Sequence, residues 1–396
     1  MLKREVLKTG SMERHRFIWI SIVVFTMSII FSTAIVQAMV GVLALLWIWN
    51  AVATKSVNFK STPLDVPFLA FLGTRVLSIL FSTNFRTSSV ALHVEIVFYV
   101  VFFLMTQFVD ISSVKRVQRI IKSLFVAAAL ASIIGVTKYA FGVVPRASST
   151  TSGYYTLGNY LVVVFAIAVL LGKSKDFFLH RWMWALFCTV LGVGIILTFN
   201  RLHWIAMAIV VLFVGIVKER WLIAVFAVGA GASVVLLPDV ASRFSDLLHL
   251  ISRSSDRDVL WKAAFMIGDQ HPVLGFGPRT FGEIFPLRDQ LADAGVGSWH
   301  NDYLQIYMES GLLGVCSLLW LLGSTFYFGV RTLKSHLLPE HLRVVLTGLL
   351  AAVAVLAVVG GMLDLLVSLL FRIILALIAL IVVAYQHERP TNAIIA

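Results

Sequence analysis

Long apolar runs dominate this chain and decide what it can become. They fall near 17–33, 36–53, 66–83, 88–108, 119–140, 155–172, 182–199, 202–217, 220–237, 303–329, 343–363 and 367–385. A helix that crosses a bilayer needs about 20 such residues, because its backbone must satisfy its own hydrogen bonds there. Strands of an outer-membrane barrel would alternate in polarity instead. Of 396 residues, 59% are hydrophobic and 13% charged, which excludes a soluble globular enzyme and a disordered chain. The expected fold is an all-α polytopic integral membrane protein with about 12 transmembrane helices, one per run. The first two runs nearly merge. Val36-Gln37-Ala38 is only a weak cleavage-like site, and apolar sequence continues beyond it, so both runs are read as spans. Cys188 and Cys316 lie inside apolar runs, so no disulfide framework or metal knuckle is expected.

The formal net charge is +12. In a membrane protein basic residues collect in cytoplasmic connections, so no nucleic-acid partner is expected. With the N-terminus inside, the inner connections carry Lys3 to Arg16, Lys55 and Lys60, Lys115 to Lys122, Lys173 to Arg181, Lys218 and Arg220, and Arg331 to Arg343. The short outer turns carry only Arg86, Arg146 and Arg201. This alternation puts both termini in the cytoplasm. It divides the chain into helices 1–9 over 1–237, a large outer loop over 238–302 between helices 9 and 10, and helices 10–12 with a tail over 303–396.

Long ordered loops tend to be functional. Here Ser255-x-x-Asp258 has the form of a capping box. Val259, Leu260, Ala263, Ala264 and Ile267 then recur at helical spacing, as in a short amphipathic helix lying at the membrane surface. Arg257 is in its first turn. His271-Pro272-Val273-Leu274-Gly275-Phe276-Gly277-Pro278 is dense in turn residues, and its glycines are read as a structural turn, not a nucleotide site. Asn301 or Asp302 can cap the next helix, which leaves His300 just outside its N-terminus. Within the spans, Arg75 and Glu95 fall at matching depths and are expected to form an ion pair, since intramembrane charges are costly alone. Asp364 and Arg372 are a similar candidate pair.

Arg257-Asp258-Val259-Leu260-Trp261, His271 to Gly277, His300-Asn301-Asp302-Tyr303-Leu304-Gln305 and Glu309-Ser310-Gly311-Leu312-Leu313-Gly314 together resemble the O-antigen ligase family, within the wider O-antigen ligase/polymerase superfamily. Arg201 matches an arginine that the family carries at an outer helix junction. The resemblance implies a GT-C-like glycosyltransferase of the bacterial inner membrane with a periplasmic active site. The implied donor is a glycan on undecaprenyl diphosphate, and the acceptor is a sugar hydroxyl of the lipid A–core. It implies an inverting reaction with no cofactor, neither metal nor nucleotide.

Residue chemistry suits that reaction. A diphosphate leaving group needs stabilised negative charge, and no Asp-x-Asp motif stands in the outer loops. Guanidinium groups pair with phosphate oxygens and stay charged; Arg201 and Arg257 fit this role, with Arg146 a weaker third. The attacking hydroxyl must lose a proton, and His300 is the expected base. Asp302 could orient it. Asn301, Tyr303, His203 and Arg279 complete the weaker substrate-binding candidates. His271 reads as structural, and Glu309 divides between helix packing and support of the site. The alternatives are a polymerase that uses a second lipid-linked glycan as acceptor, a protein-glycosylating relative, and a secondary transporter. A transporter would leave the outer Arg and His set without a purpose.

Overall fold

The computed structural model describes residues 16–55, 59–109, 114–150, 153–217, 219–248, 256–291, 296–361 and 368–386. Each of the twelve apolar runs is helical there. They form α1 (Arg16–Ser28), α2 (Thr33–Thr54), α3 (Asp65–Leu80), a fourth run broken into α4 (Phe85–Ser89) and α5 (Leu92–Phe108), α6 (Val114–Ala140), α7 (Tyr154–Leu171), α8 (Arg181–Ile196), α9 (Arg201–Val217) and α10 (Trp221–Leu236). The large loop holds α11 (Pro238–Leu248), α12 (Asp256–Ile267) and α13 (Phe281–Ile284); α14 (Asp302–Leu333), α15 (Glu340–Val359) and α16 (Leu369–Gln386) follow. Among the described residues there is no strand. By length and composition, six segments there can cross a membrane: α2, Phe85–Phe108, α6, α7, α14 and α15. The molecule is an all-helical membrane protein.

The near-merger of the first two runs is broken at Ser32, whose extended backbone and side chain cap α2 by accepting from the Ile35 amide at 3.3 Å. Two helices are buried on nearly every face and lie inside the bundle. α7 is buried from Tyr160 to Leu171 and packs on α6, α8, α9 and α15; α16 is buried from Leu370 to Val382 and packs on α5, α14 and α15. Small polar contacts fix the register between helices, including Thr26 to Ser123 at 2.6 Å, Thr74 to Ser317 at 3.0 Å and Ser132 to the Val190 carbonyl at 2.6 Å.

The break in α14 organises the site. Gly311 has φ 60° and ψ −160°, so the helical ladder is interrupted one glycine into the Glu309-Ser310-Gly311 stretch. Its freed backbone groups find partners in the loop. The Phe276 and Gly277 amides donate to the Met308 and Glu309 carbonyls at 2.8 and 3.1 Å, and the Leu312 and Leu313 amides donate to the Pro272 and Val273 carbonyls at 2.8 and 3.2 Å. Non-helical backbone at membrane depth is tolerated only when it is satisfied in this way. The approach requires glycine on both sides. A Cβ on Gly275 (φ 69°) would meet the backbone of residues 308–310, and one on Gly311 would meet that of Val273. The other flank of the turn is held by the link between α3 and α4: the Thr83 amide and the Ser82 and Thr83 hydroxyls all donate to the Phe276 carbonyl.

The expected Arg75–Glu95 pair is present, with Nη2 to Oε1 at 2.8 Å. It is part of a larger group: Arg75 also reaches Glu309 at 2.8 Å and donates to Ser310 Oγ at 3.0 Å. The Glu309 carboxylate thus holds the broken segment of α14 to α3. Arg372 is buried, 5.8 Å from the Phe68 ring and 5.4 Å from that of Phe371. Asp364, its expected partner, and Ser255 of the expected capping box lie outside the described residues.

Candidate active site

The large loop has its own small core. Leu260, Ala263 and Ala264 of α12 pack with Phe276, Phe281, Phe285, Trp299 and Met308. The stripe expected to rest on the membrane surface is therefore spent inside the loop, and Trp261 and Phe265 face outward instead. Trp299 is fully buried, edge-on to Phe281 and Phe285 at 5.0 and 5.8 Å between ring centres. It anchors the residue that follows, His300, which takes the left-handed conformation (φ 51°). Asn301 is the cap of α14, accepting from the Tyr303 and Leu304 amides at 3.0 and 3.1 Å. Asp302 is buried, and its amide donates to the Gly360 carbonyl at 2.7 Å. The Tyr303 hydroxyl donates to the Ala357 carbonyl at 2.7 Å.

His300 is half-buried, with Nδ1 3.2 Å from Ser298 Oγ. Its ring lies 6.0 Å from that of Tyr155, and Tyr155 lies 5.6 Å from the His203 ring as well. His203 is buried and pairs through Nε2 with Asn159 Oδ1 at 2.8 Å. That oxygen only accepts, which assigns the proton to Nε2. Gly158 makes room for this ring; a Cβ there would overlap it. Arg201, half-buried, starts α9 two residues before His203, after a tight turn in which Phe199 has φ 51°. Arg146 stacks over Tyr154 at 4.5 Å, and its loop is tied to that turn by the Ala147 amide donating to Leu197 at 2.8 Å.

Arg146, His203 and His300 are thus gathered about Tyr154 and Tyr155 at the start of α7, and Arg201 begins α9 two residues before His203. The start of α9 packs on the start of α7 there, through His203 against Tyr155 and Asn159, and each start is the positive end of a helix dipole. Together with two guanidinium groups they make a site suited to a polyanion. Arg257 stands half-buried in the first turn of α12, the helix whose Leu260, Ala263 and Ala264 pack in the loop core with Trp299. Arg279 also has a left-handed backbone (φ 64°); its amide donates to Glu309 Oε1 at 3.0 Å while its side chain is exposed. Tyr155 and Asn159 were not legible as site residues. The one available signal was a polar side chain, Asn159, inside an otherwise apolar run.

Arg201, Arg257 and His300 lie within one segment that a family model recognises. Residues 184–319 match the model of a family described as O-antigen ligase. Members of this family are glycosyltransferase-like enzymes acting on lipid-linked glycans. The matched segment runs from α8 to the middle of α14 and contains the interlocked glycine turns; Arg146, Tyr155 and Asn159 lie outside it. Comparison with curated proteins gives no match.

Proposed function

We propose that the chain is an O-antigen ligase of the bacterial inner membrane. It spans the membrane twelve times with both termini in the cytoplasm, and the His300 end faces the periplasm. It transfers a glycan from undecaprenyl diphosphate to a sugar hydroxyl of the lipid A–core. The observation that carries this reading is the gathering of Arg146, His203 and His300 about Tyr154 and Tyr155, with Arg201 at the start of the adjoining α9, beside a segment that matches an O-antigen ligase family model.

In this reading Arg201 and Arg257 bind the diphosphate and stabilise the charge that grows on it as the glycosidic bond breaks. Removing one such preorganised donor costs about 3–4 kcal/mol of barrier. In this reading His300 Nδ1, 3.2 Å from Ser298 Oγ, carries the ring proton, and Nε2 carries the lone pair that takes the acceptor proton. The acceptor oxygen then attacks the anomeric carbon from the face opposite the diphosphate, which inverts the centre. The bond energy resides in the donor, so no nucleotide takes part.

The test is deletion of the gene in its host, complementation with wild type or His300→Asn, and electrophoresis of lipopolysaccharide. Bare lipid A–core after deletion, with long polymer held on the lipid carrier, is the expected result. Core capped by a single repeat unit would reassign the chain to a polymerase, and an unchanged ladder would refute the lipopolysaccharide acceptor.

A further inference from the structure

A long apolar groove runs between α8, α9 and α10, backed by Phe165 and Val169 of α7, and encloses about 830 Å³. From Trp184 to Ile196 it follows α8 for about 18 Å. Its far end is closed where Trp184 and Trp221 meet edge-on at 5.7 Å. α10 packs on α9 but buries no residue, and Val193, Val225 and Val235 on the walls are exposed, so the groove lies open along its side.

The walls offer nothing to a polar ligand. No charged residue lines them, and their donors are spent on neighbouring backbone. Trp184 Nε1 donates to the Ala168 carbonyl at 3.0 Å and Trp204 Nε1 to that of Ile196 at 3.1 Å. The Thr189 and Ser233 hydroxyls donate to the Ala185 and Gly229 carbonyls at 2.9 and 2.8 Å. A sugar or a peptide would lose its hydrogen bonds to water there, whereas hydrocarbon has none to lose.

What stands at the other end selects among hydrocarbons. Arg201, Trp204, Ile205 and Ala208 recur at the spacing of one helical face, and the last three line the groove. Arg201 therefore heads it, one turn before Trp204. Ile196, at the same end, adjoins Leu197, whose carbonyl receives the Ala147 amide of the Arg146 loop. Asp239, next to Val240 of the lining, accepts from the Tyr139 hydroxyl at 3.2 Å. An anionic head held at Arg201 thus has a hydrocarbon channel within one helical turn. In a polyprenyl diphosphate the first isoprene unit is bonded directly to the diphosphate. In the lipid A–core, sugars separate the attacking hydroxyl from the acyl chains, so those chains have no reason to begin at Arg201.

We propose that the α8–α9–α10 groove holds the isoprenoid tail of the lipid-diphosphate donor, with its first units beside Trp204 and Ile196. The inference rests on the reading of Arg201 as a diphosphate ligand and adds the path of the tail. Binding of undecaprenyl diphosphate and of isopentenyl diphosphate, which has the same head and one isoprene unit, to the full chain in one detergent tests it. The wild type should prefer the long chain at least about tenfold, by the scale of burying a few apolar carbons. Gly192→Leu fills the groove, since a Cβ there meets only Met207 Sδ, at 3.9 Å, and should cut the preference to about twofold or less. Gly323→Leu, on α14, should keep it. A preference unchanged by Gly192→Leu overturns the groove, and does so even where Arg201→Gln weakens both probes and so upholds the diphosphate reading. A preference lost in Gly192→Leu, with both probes indifferent to Arg201→Gln, supports the groove and refutes that reading. Displacement of the long chain by equimolar phosphatidylglycerol overturns the proposal in favour of a membrane phospholipid. An undecaprenyl diphosphate carrying a diazirine in its first isoprene unit should label α8 or α9 around Ile196 and Trp204. Labelling absent from both helices overturns the proposal whether or not Gly192→Leu folds.

Discussion

Gln305 joins Glu309 to the backbone of Trp299: its Nε2 donates to Glu309 Oε1 at 2.6 Å, and its Oε1 accepts from the Trp299 amide at 2.9 Å. Glu309 is in turn held by Arg75 at 2.8 Å. A continuous polar path therefore runs from the ion group inside the bundle to the residue that precedes His300. Gln305 and Glu309, one helical turn apart on α14, fix the large loop to the helical bundle.

Gln305→Leu should leave the buried Trp299 amide unsatisfied, at about 1–3 kcal/mol. It should lower the melting temperature and loosen the His300 turn together. Gln305→Glu should be worse, since it sets two carboxylates against each other. Adding Glu309→Gln to Gln305→Glu restores the net charge and one donor–acceptor pair, so the double variant should melt above Gln305→Glu alone. Equal melting temperatures for the two would break the proposed path.

Much of the architecture was legible because apolar runs of membrane length admit few alternatives. The Arg75–Glu95 pair was legible as well, since two charges at matching depth in adjacent spans have reason to meet. The third member, Glu309, was not: its partner depends on α14 packing against α3, which no local pattern encodes. The same limit hid Tyr155, an ordinary aromatic at a helix start that becomes notable only when His203 and His300 are both in ring contact with it. The stripe on α12 was read with the right period but the wrong partner. Periodicity reports that a face is buried, not which surface buries it.

The interlock of the two glycine turns predicts a sharp contrast within one helix. Gly311→Ala and Gly275→Ala each place a Cβ at positive φ, at about 1–2 kcal/mol, and against backbone that cannot retreat. Both should yield poorly folded protein in detergent thermal melts. Gly323 is also in α14, but a Cβ added there would meet nothing within 4 Å. Gly323→Ala should therefore be neutral or gain up to about 1 kcal/mol. Similar melts for all three would show that the broken segment tolerates repacking.

Gly158 gives a test of the buried histidine. Gly158→Ala should force the His203 ring off Asn159 Oδ1, leaving a buried donor and acceptor apart, at about 1–3 kcal/mol. Because Tyr155 is in ring contact with both histidines, the displacement should also reach His300. The expected signature is a fall in both thermal stability and glycan transfer. His203→Ala added to Gly158→Ala opens the space again and should recover stability without recovering full transfer. A double variant no more stable than Gly158→Ala would place the clash elsewhere.

The left-handed backbone of His300 allows its chemistry to be separated from its geometry. At φ 51° most side chains are strained, whereas asparagine adopts this conformation readily. His300→Ala therefore confounds loss of the ring with strain at the turn. His300→Asn keeps the turn, the cap that follows it and the burial of Trp299, but it removes the nitrogen proposed to take the acceptor proton. Under the proposed mechanism, transfer to lipid A–core should fall by about 10²–10⁴-fold, the usual worth of a positioned base. The melting temperature should stay near that of wild type, and binding of the lipid-diphosphate donor should be unchanged, since that task belongs to Arg201 and Arg257. Arg201→Gln should show the complementary pattern, with weakened donor binding as well as slower transfer. Near-wild-type transfer by His300→Asn would remove His300 from the proton-transfer step and leave the site with a binding role alone.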